Sequence, residues 1–210
     1  SIERLNEDSI GYSAEQKKSL NRIYDQTQRM IRLTNDLLDA TRMEFGVLSY
    51  KYEETNPRII ASNVITDLKG RIRDKKIKFT LVASKDTKAY QTYSNAIYMI
   101  LHNLLSNAVK FTPVNGTVGL RISKTEKELI LRVSDSGVGI PKLAQTKIFQ
   151  KMYRAQNVKD KFEGSGLGLY ITSGIINHMG GKITVKSIPR QGTTFTVMLP
   201  LALQIIQSKQ

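Results

Sequence analysis

Cysteine is missing from this 210-residue chain, which excludes disulfides and thiolate metal sites and makes a reducing compartment comfortable. Histidine is almost missing: only His102 and His178 occur, so residues 1–101 contain none. No stretch approaches the ~20 uninterrupted apolar residues of a membrane span, and no secretory signal precedes the first helical pattern. A protein of this kind working at a membrane would need a spanning segment outside these residues. Internal repeats and low-complexity tracts are also lacking. Acidic residues are scarce, with 18 Asp and Glu against 32 Lys and Arg, and the resulting charge of +14 calls for an acidic partner. Nucleotide, nucleic acid, anionic lipid and acidic protein all qualify. The cations are densest in KLAQTKIFQKMYRAQNVKDK (142–161), where Lys142, Lys147, Lys151, Arg154, Lys159 and Lys161 face only Asp160. Such a run reads either as a solvated surface or as part of an anion site.

What is present is ordinary for a globular chain with a sizeable core: 40% apolar and 24% charged residues. Residues 14–45 predict one long helix, because Leu20, Ile23, Tyr24, Met30, Ile31, Leu37, Leu38 and Phe45 recur at intervals of three, four and seven. A seam of that kind needs partner helices. Ser1–Asp8 reads as the end of a preceding antiparallel helix, with SIGYS (9–13) as the turn. Beyond Gly46, VLSYKY alternates like a strand, and Pro57 opens a helix to about Lys76 that Thr55 or Asn56 can cap. Strands are expected at 77–83 and 88–92, a helix over Ser94–Phe111, and strands at 116–123 and 128–136. A loop-rich stretch to Glu163, a helix over 166–179 and a hairpin of 182–188 with 192–200 complete the chain. The pattern implies an α/β (α+β) two-layer sandwich with helices on one face of a mixed sheet, preceded by a long coiled-coil-like helix.

Two runs carry chemistry. In NLLSNAVKFTP (103–113), Asn103, Asn107 and Lys110 fall on one side of a helix at i, i+4 and i+7, while Leu104, Leu105, Ala108 and Val109 occupy the others. Paired amides can be satisfied by backbone groups; alternatively, amide oxygens are hard ligands suited to Mg2+, and a lysine supplies charge for phosphate. In DSGVGIP (135–141), Asp135 ends a strand where a carboxylate could accept from an exocyclic amine, and Gly137 and Gly139 let a planar group approach. By itself this is also an ordinary D-S-G turn. EGSGLGLYI (163–171) places Gly164, Gly166 and Gly168 at the mouth of a helix, whose free N–H groups favour an anion. It matches neither the P-loop nor the dinucleotide fingerprint. GTTFTVMLP (192–200) sets Thr193 at the start of the closing strand.

In this fixed order, and with IFQKMYRA (148–155) between them, these runs resemble the N box, the three glycine boxes and the phenylalanine box of the sensor histidine kinases. That family belongs to the ATPase superfamily shared with DNA gyrase, the Hsp90 chaperones and the MutL repair proteins. The resemblance implies a Mg·ATP site. Asn107 would bind Mg2+ directly with Asn103 beside it, Lys110 would contact phosphate, and Phe111 would lie near the adenine. Asp135 would accept from the adenine N6 amine, with Gly137, Gly139 and Ile140 admitting the base and Thr193 helping to hold a water. Gly164, Gly166, Leu167 and Gly168 would form the phosphate side and hinge of a lid that includes the basic 142–161 stretch. Arg154 would stabilise charge on the departing γ-phosphoryl group; Asn103, Lys110 and Arg154 form the implied catalytic set. Superfamily members that hydrolyse ATP carry a glutamate where Asn103 stands, and an amide cannot activate water as a base.

The resemblance further implies residues 1–46 as a partial dimerisation and phosphoacceptor hairpin, 47–200 as the catalytic ATP-binding domain and 201–210 as a tail. It implies a homodimer through the hairpin, a response-regulator receiver domain as partner, and a cytoplasmic domain of a membrane-anchored parent. The acceptor histidine belongs on the first arm followed by an acidic residue, and neither His102 nor His178 has one. The chain therefore reads as truncated just after its acceptor site and is expected not to phosphorylate itself in the usual place. Both histidines are expected to be structural. Where the family opens the helix at 94 with an aspartate, Tyr93 stands, leaving Ser94 or Thr92 to cap it. Three other functions compete with this one: a nucleotide-binding docking module without phosphotransfer, a different ATPase or kinase of the same superfamily, and nucleic-acid binding, which the lack of a recognition helix or aromatic platform disfavours.

Overall fold

A computed structural model describes residues 13–44, 50, 52–84, 87–159 and 161–201. The proposed first arm and most of its turn, most of VLSYKY, Asp160 and the end of the tail lie outside the described residues. Helix α1 spans Ala14–Glu44. It begins with a reciprocal cap that the periodicity did not announce: Gln16 N–H donates to Ser13 Oγ at 3.3 Å and Ser13 N–H to Gln16 Oε1 at 2.8 Å. Strand β1 (Tyr52–Thr55) runs into Asn56, whose Oδ1 accepts the Arg58 N–H at 2.9 Å to open α2 (Pro57–Asp74). Then follow β2 (Lys78–Ala83), β3 (Tyr90–Tyr93), α3 (Ser94–Phe111), β4 (Thr117–Lys124) and β5 (Glu128–Asp135). The stretch expected to be loop contains two single turns, α4 (Lys142–Gln145) and α5 (Gln156–Lys159). Helix α6 (Gly168–His178), β6 (Lys182–Ile188) and β7 (Gly192–Pro200) close the fold.

The main sheet is mixed, in the order β2-β4-β5-β7-β6, with β2 parallel to β4 and all other pairs antiparallel. Alternation along the strands places Val118, Leu120 and Ile122 of β4, Leu129, Leu131 and Val133 of β5, and Phe195, Val197 and Leu199 of β7 on one buried face. Register stacks Ile122, Leu131 and Val197 side by side across three strands. Against this face lie α3 and α6, with α2 packed on α3. β1 and β3 form a separate two-stranded ribbon, where a single sheet was expected. Each runs directly into α2 or α3, so the packing of those helices draws their leading strands together. Tyr52 and Tyr93 pair across the ribbon with rings 5.2 Å apart.

The start of α3 corrects one expectation. Neither Ser94 nor Thr92 caps it: Tyr93 occupies the cap position with no side-chain bond, and Ser94 Oγ donates to Glu53 Oε1 at 2.5 Å. Thr92 is buried in the ribbon.

Helix α1 docks by one side on the domain. Ala40 is fully buried, and Met43 fills the space above Gly174 so closely that any Cβ there would overlap its sulfur. Glu44 accepts from Lys151 Nζ at 2.7 Å and Tyr170 Oη at 3.0 Å, while Asp36 Oδ2 accepts from Ser165 Oγ at 2.6 Å. The other side leaves Ile23, Met30, Ile31, Leu33, Leu37 and Leu38 exposed. Among the described residues no helix is long and apolar enough to cross a membrane.

Because Leu131 is fully buried at the centre of the sheet, Leu131→Ala is expected to destabilise the fold by about 2–5 kcal/mol. Urea unfolding followed by circular dichroism measures this.

Candidate nucleotide site

The last three turns of α3 supply the core of the site. Leu104 and Leu105 are fully buried, and Ala108 and Val109 nearly so. This fixes the helix's rotation and leaves Asn103, Asn107 and Lys110 on a half-buried side facing the start of α6. There the amides form a relay. Asn103 Nδ2 donates to Thr172 Oγ1 at 2.5 Å, and Asn103 Oδ1 accepts from Asn107 Nδ2 at 3.3 Å. With its nitrogen committed, Asn107 keeps its Oδ1 for another partner. Gly168, the first residue of α6, lies against Asn103: a Cβ there would come within 2.5 Å of Oδ1. Lys110 Nζ sits 5.0 Å from the centroid of Phe111 and 3.0 Å from where a Cβ on Gly164 would be. Phe111 and Phe162 meet edge to face at 5.1 Å.

Asp135 ends β5, paired with Val118 on one side and Thr193 on the other. Burial pushes its carboxyl up to about 6, against the opposing pull of the backbone N–H groups of Gly137 and Thr193. The Gly137 N–H donates to Oδ1 at 2.8 Å. Gly137 is packed so tightly that a Cβ on it would stand 2.7 Å from both Asp135 Oδ1 and the Phe111 carbonyl oxygen. The loop thus joins the end of α3 to the end of β5. Gly139 has φ 66° and presses on the Ile188 carbonyl, leaving no room for a side chain. Next to it, Ile140 N–H donates to Ser187 Oγ at 2.8 Å, and that hydroxyl lies 2.9 Å from Thr193 Oγ1.

The second glycine run needs its glycines for conformation: Gly164 has φ 155° and Gly166 φ 75°, with Gly166 against the Met152 backbone. Leu167 anchors this segment in the core. Arg154 directs one guanidinium nitrogen to the carbonyls of Lys159 at 2.9 Å, Val158 at 3.4 Å and Phe162. It thereby staples α5 to the segment leading into the glycines, a role not foreseen from the sequence. Both histidines are packed on tyrosines, His102 stacked on Tyr98 at 5.8 Å and His178 on Tyr50 at 5.7 Å.

The donor type fits Mg2+: an amide oxygen is a hard ligand, and Asn107 Oδ1 makes no hydrogen bond among the described residues. A cation held by so few protein oxygens takes its other ligands from phosphates and water.

This fold, with an amide-bearing helix, a strand-end aspartate and a glycine-rich turn opening α6, defines an ATP-binding domain of the kinase and chaperone type. The family described as "Histidine kinase-, DNA gyrase B-, and HSP90-like ATPase" matches residues 92–203, and "His Kinase A (phospho-acceptor) domain" matches residues 1–46. The chain belongs to this family, in its sensor histidine kinase branch. It is 32% identical over 188 residues to the circadian input-output histidine kinase CikA of Synechococcus elongatus, covering 88% of this chain and 25% of that protein. It is 30% identical over 200 residues to sensor histidine kinase YcbM of Bacillus subtilis, covering 94% and 64%. Full-length ShkA in complex with AMPPNP superposes with a TM-score of 0.79 at 25% identity, over 94% of this chain and 41% of that one. The chain thus spans a quarter to two thirds of these curated relatives.

The raised Asp135 pKa has a definite sign. Between about 4 and 6 the folded chain holds this proton more tightly than the unfolded chain, so acid favours folding there, and above 6 the burial of a charge is felt in full. Asp135→Asn is therefore expected to melt at higher temperature than wild type at pH 7.5. The advantage should shrink as pH falls through 6, measured by thermal scans across pH.

Proposed function

We propose that this chain is the catalytic core of a sensor histidine kinase that binds Mg·ATP and transfers its γ-phosphoryl group to a histidine on a dimerisation hairpin. The observation carrying this reading is the amide relay, which leaves Asn107 Oδ1 without a partner among the described residues, on the same helix face as Lys110. In the transfer, the bond between the γ-phosphorus and the bridging oxygen breaks to release ADP, and a bond from phosphorus to the imidazole nitrogen forms. Bound Mg2+ would neutralise phosphate charge, held by Asn107 with Asn103 fixing that amide through its own bond to Thr172. Lys110 adds a second positive charge beside the glycine turn, and Arg154, tied by one nitrogen to the carbonyls of Val158, Lys159 and Phe162, stabilises charge on the departing γ-phosphoryl group. Asp135 accepts from the adenine amine, where guanine presents a carbonyl. Asn103 cannot deprotonate water, which favours transfer to a side chain over hydrolysis.

Residues 1–46 act as part of the dimerisation hairpin, 47–200 as the catalytic domain and 201–210 as a tail. The exposed apolar side of α1 suits pairing in a helical bundle, making the intact protein a homodimer. Its onward partner is a response-regulator receiver domain, and its setting is the cytoplasmic part of a membrane-anchored parent.

Calorimetry tests the pocket. Wild type is expected to bind Mg·AMPPNP and to discriminate against the guanine analogue, and Asn107→Ala is expected to weaken binding about tenfold or more. With labelled ATP, phosphate should pass to a separately supplied histidine-bearing hairpin and not accumulate on His102 or His178. A stable phosphohistidine on this chain alone would overturn the structural role of His102 and His178, and failure to label the supplied hairpin would count against phosphotransfer.

A further inference from the structure

Lys75 follows α2 and belongs to none of the motifs above, yet its ammonium is committed to the end of α3. Nζ donates to the carbonyl oxygens of Val109 at 2.9 Å, Lys110 at 2.7 Å and Thr112 at 2.8 Å. Carbonyls in the last turn of a helix have no partner within it, and each must find one elsewhere. Here the neighbouring ones are also satisfied. Ala108 O accepts the Thr112 N–H at 3.1 Å and its hydroxyl at 2.7 Å, and Phe111 O accepts the Val138 N–H at 3.3 Å. The turn bearing Lys110 and Phe111 is therefore clasped twice, by a cation from the end of α2 and by the loop that follows Asp135. A positive charge at this pole also complements the helix dipole, and charge-assisted bonds are the stronger kind. Lys75 is itself held, its N–H on Arg71 O at 3.2 Å and its carbonyl accepting from Asn115 N–H at 2.9 Å.

We propose that Lys75 is a positioning residue for the nucleotide: by gathering three carbonyls it sets the last turn of α3, so that Lys110 and the Asp135 loop keep one mutual geometry. The inference rests on the nucleotide reading above. Lys75 need touch no part of the nucleotide. Its loss acts through Lys110, Phe111 and the Val138 contact, and a neutral side chain of similar length leaves three carbonyls short of a donor.

The lack of cysteine in the chain supplies a clean test. Lys75→Cys carries a single thiol, and alkylation with 2-bromoethylamine rebuilds an ammonium at nearly lysine length. Lys75→Met and unmodified Lys75→Cys are expected to bind Mg·AMPPNP about tenfold or more weakly, with aminoethylation restoring most of the affinity. Hydrogen exchange at the Thr112 and Val138 amides should accelerate in Lys75→Met, while the Ile122 amide in the sheet should not change. Ile122→Val, which lowers stability from the core, should retain wild-type affinity at a temperature where it is folded. Wild-type affinity in Lys75→Met, failure of aminoethylation to restore binding, or an equal loss in Ile122→Val would each overturn the role of Lys75. If wild type bound no nucleotide, the pocket reading would fall first and this inference with it.

Discussion

Leu104, Leu105, Ala108 and Val109 are 0–3% exposed, and the rest of the molecule depends on that burial because the same turns carry Asn103, Asn107 and Lys110 on their other side. Apolar packing sets the helix's rotation at a depth where a slip of one residue would bury an ammonium and expose a leucine, a change that costs several kcal/mol in each direction. The polar side thus inherits its placement from the core. Once the rotation is set, the amides satisfy one another and Thr172, which keeps a half-buried polar stripe from being a liability. Core and site are two faces of one object.

The second anchor is the end of β5. Asp135 is paired between Val118 of β4 and Thr193 of β7, and its half-buried carboxylate is tied to the Gly137 N–H. Its raised pKa is the physical sign of that confinement. A half-buried carboxylate with two backbone donors already attached costs stability when charged, and a strongly shifted group of this kind marks a candidate functional position. The Phe111–Val138 bond links this anchor to α3, so the Asp135 loop and the turn bearing Lys110 share a joint at the helix's end.

A third relation connects the glycine turn with α1. Ser165 lies between Gly164 and Gly166 and donates to Asp36, while Glu163 pairs with Arg29 at 3.4 Å. Glu44 meets Lys151 and Tyr170 further along. These are mostly exposed polar contacts, worth little individually and easily exchanged for water. The apolar Ala40 and Met43 contacts hold the helix more firmly. The glycine-turn segment beside Lys110 is therefore tied in position to α1.

Periodicity alone defined α3, β6 and β7 at the bounds observed, because each has a long apolar face or clear turn residues at its ends. The same spacing put the two asparagines and the lysine on one side of α3, a property of a 3.6-residue turn that requires no tertiary knowledge. What the chain could not announce were pairings between distant segments. The β1–β3 ribbon arises from the docking of α2 on α3, and the ties of Arg154 to α5 and of Asp36 to Ser165 depend on loops whose paths are set by the whole fold. Lys75 reads as one cation among many in RDKK, and only the approach of α2 to the end of α3 gives it three carbonyls. Local spacing determines which residues share a face. Which faces meet is decided by burying those faces against each other, a many-body outcome that no single stretch of the chain contains.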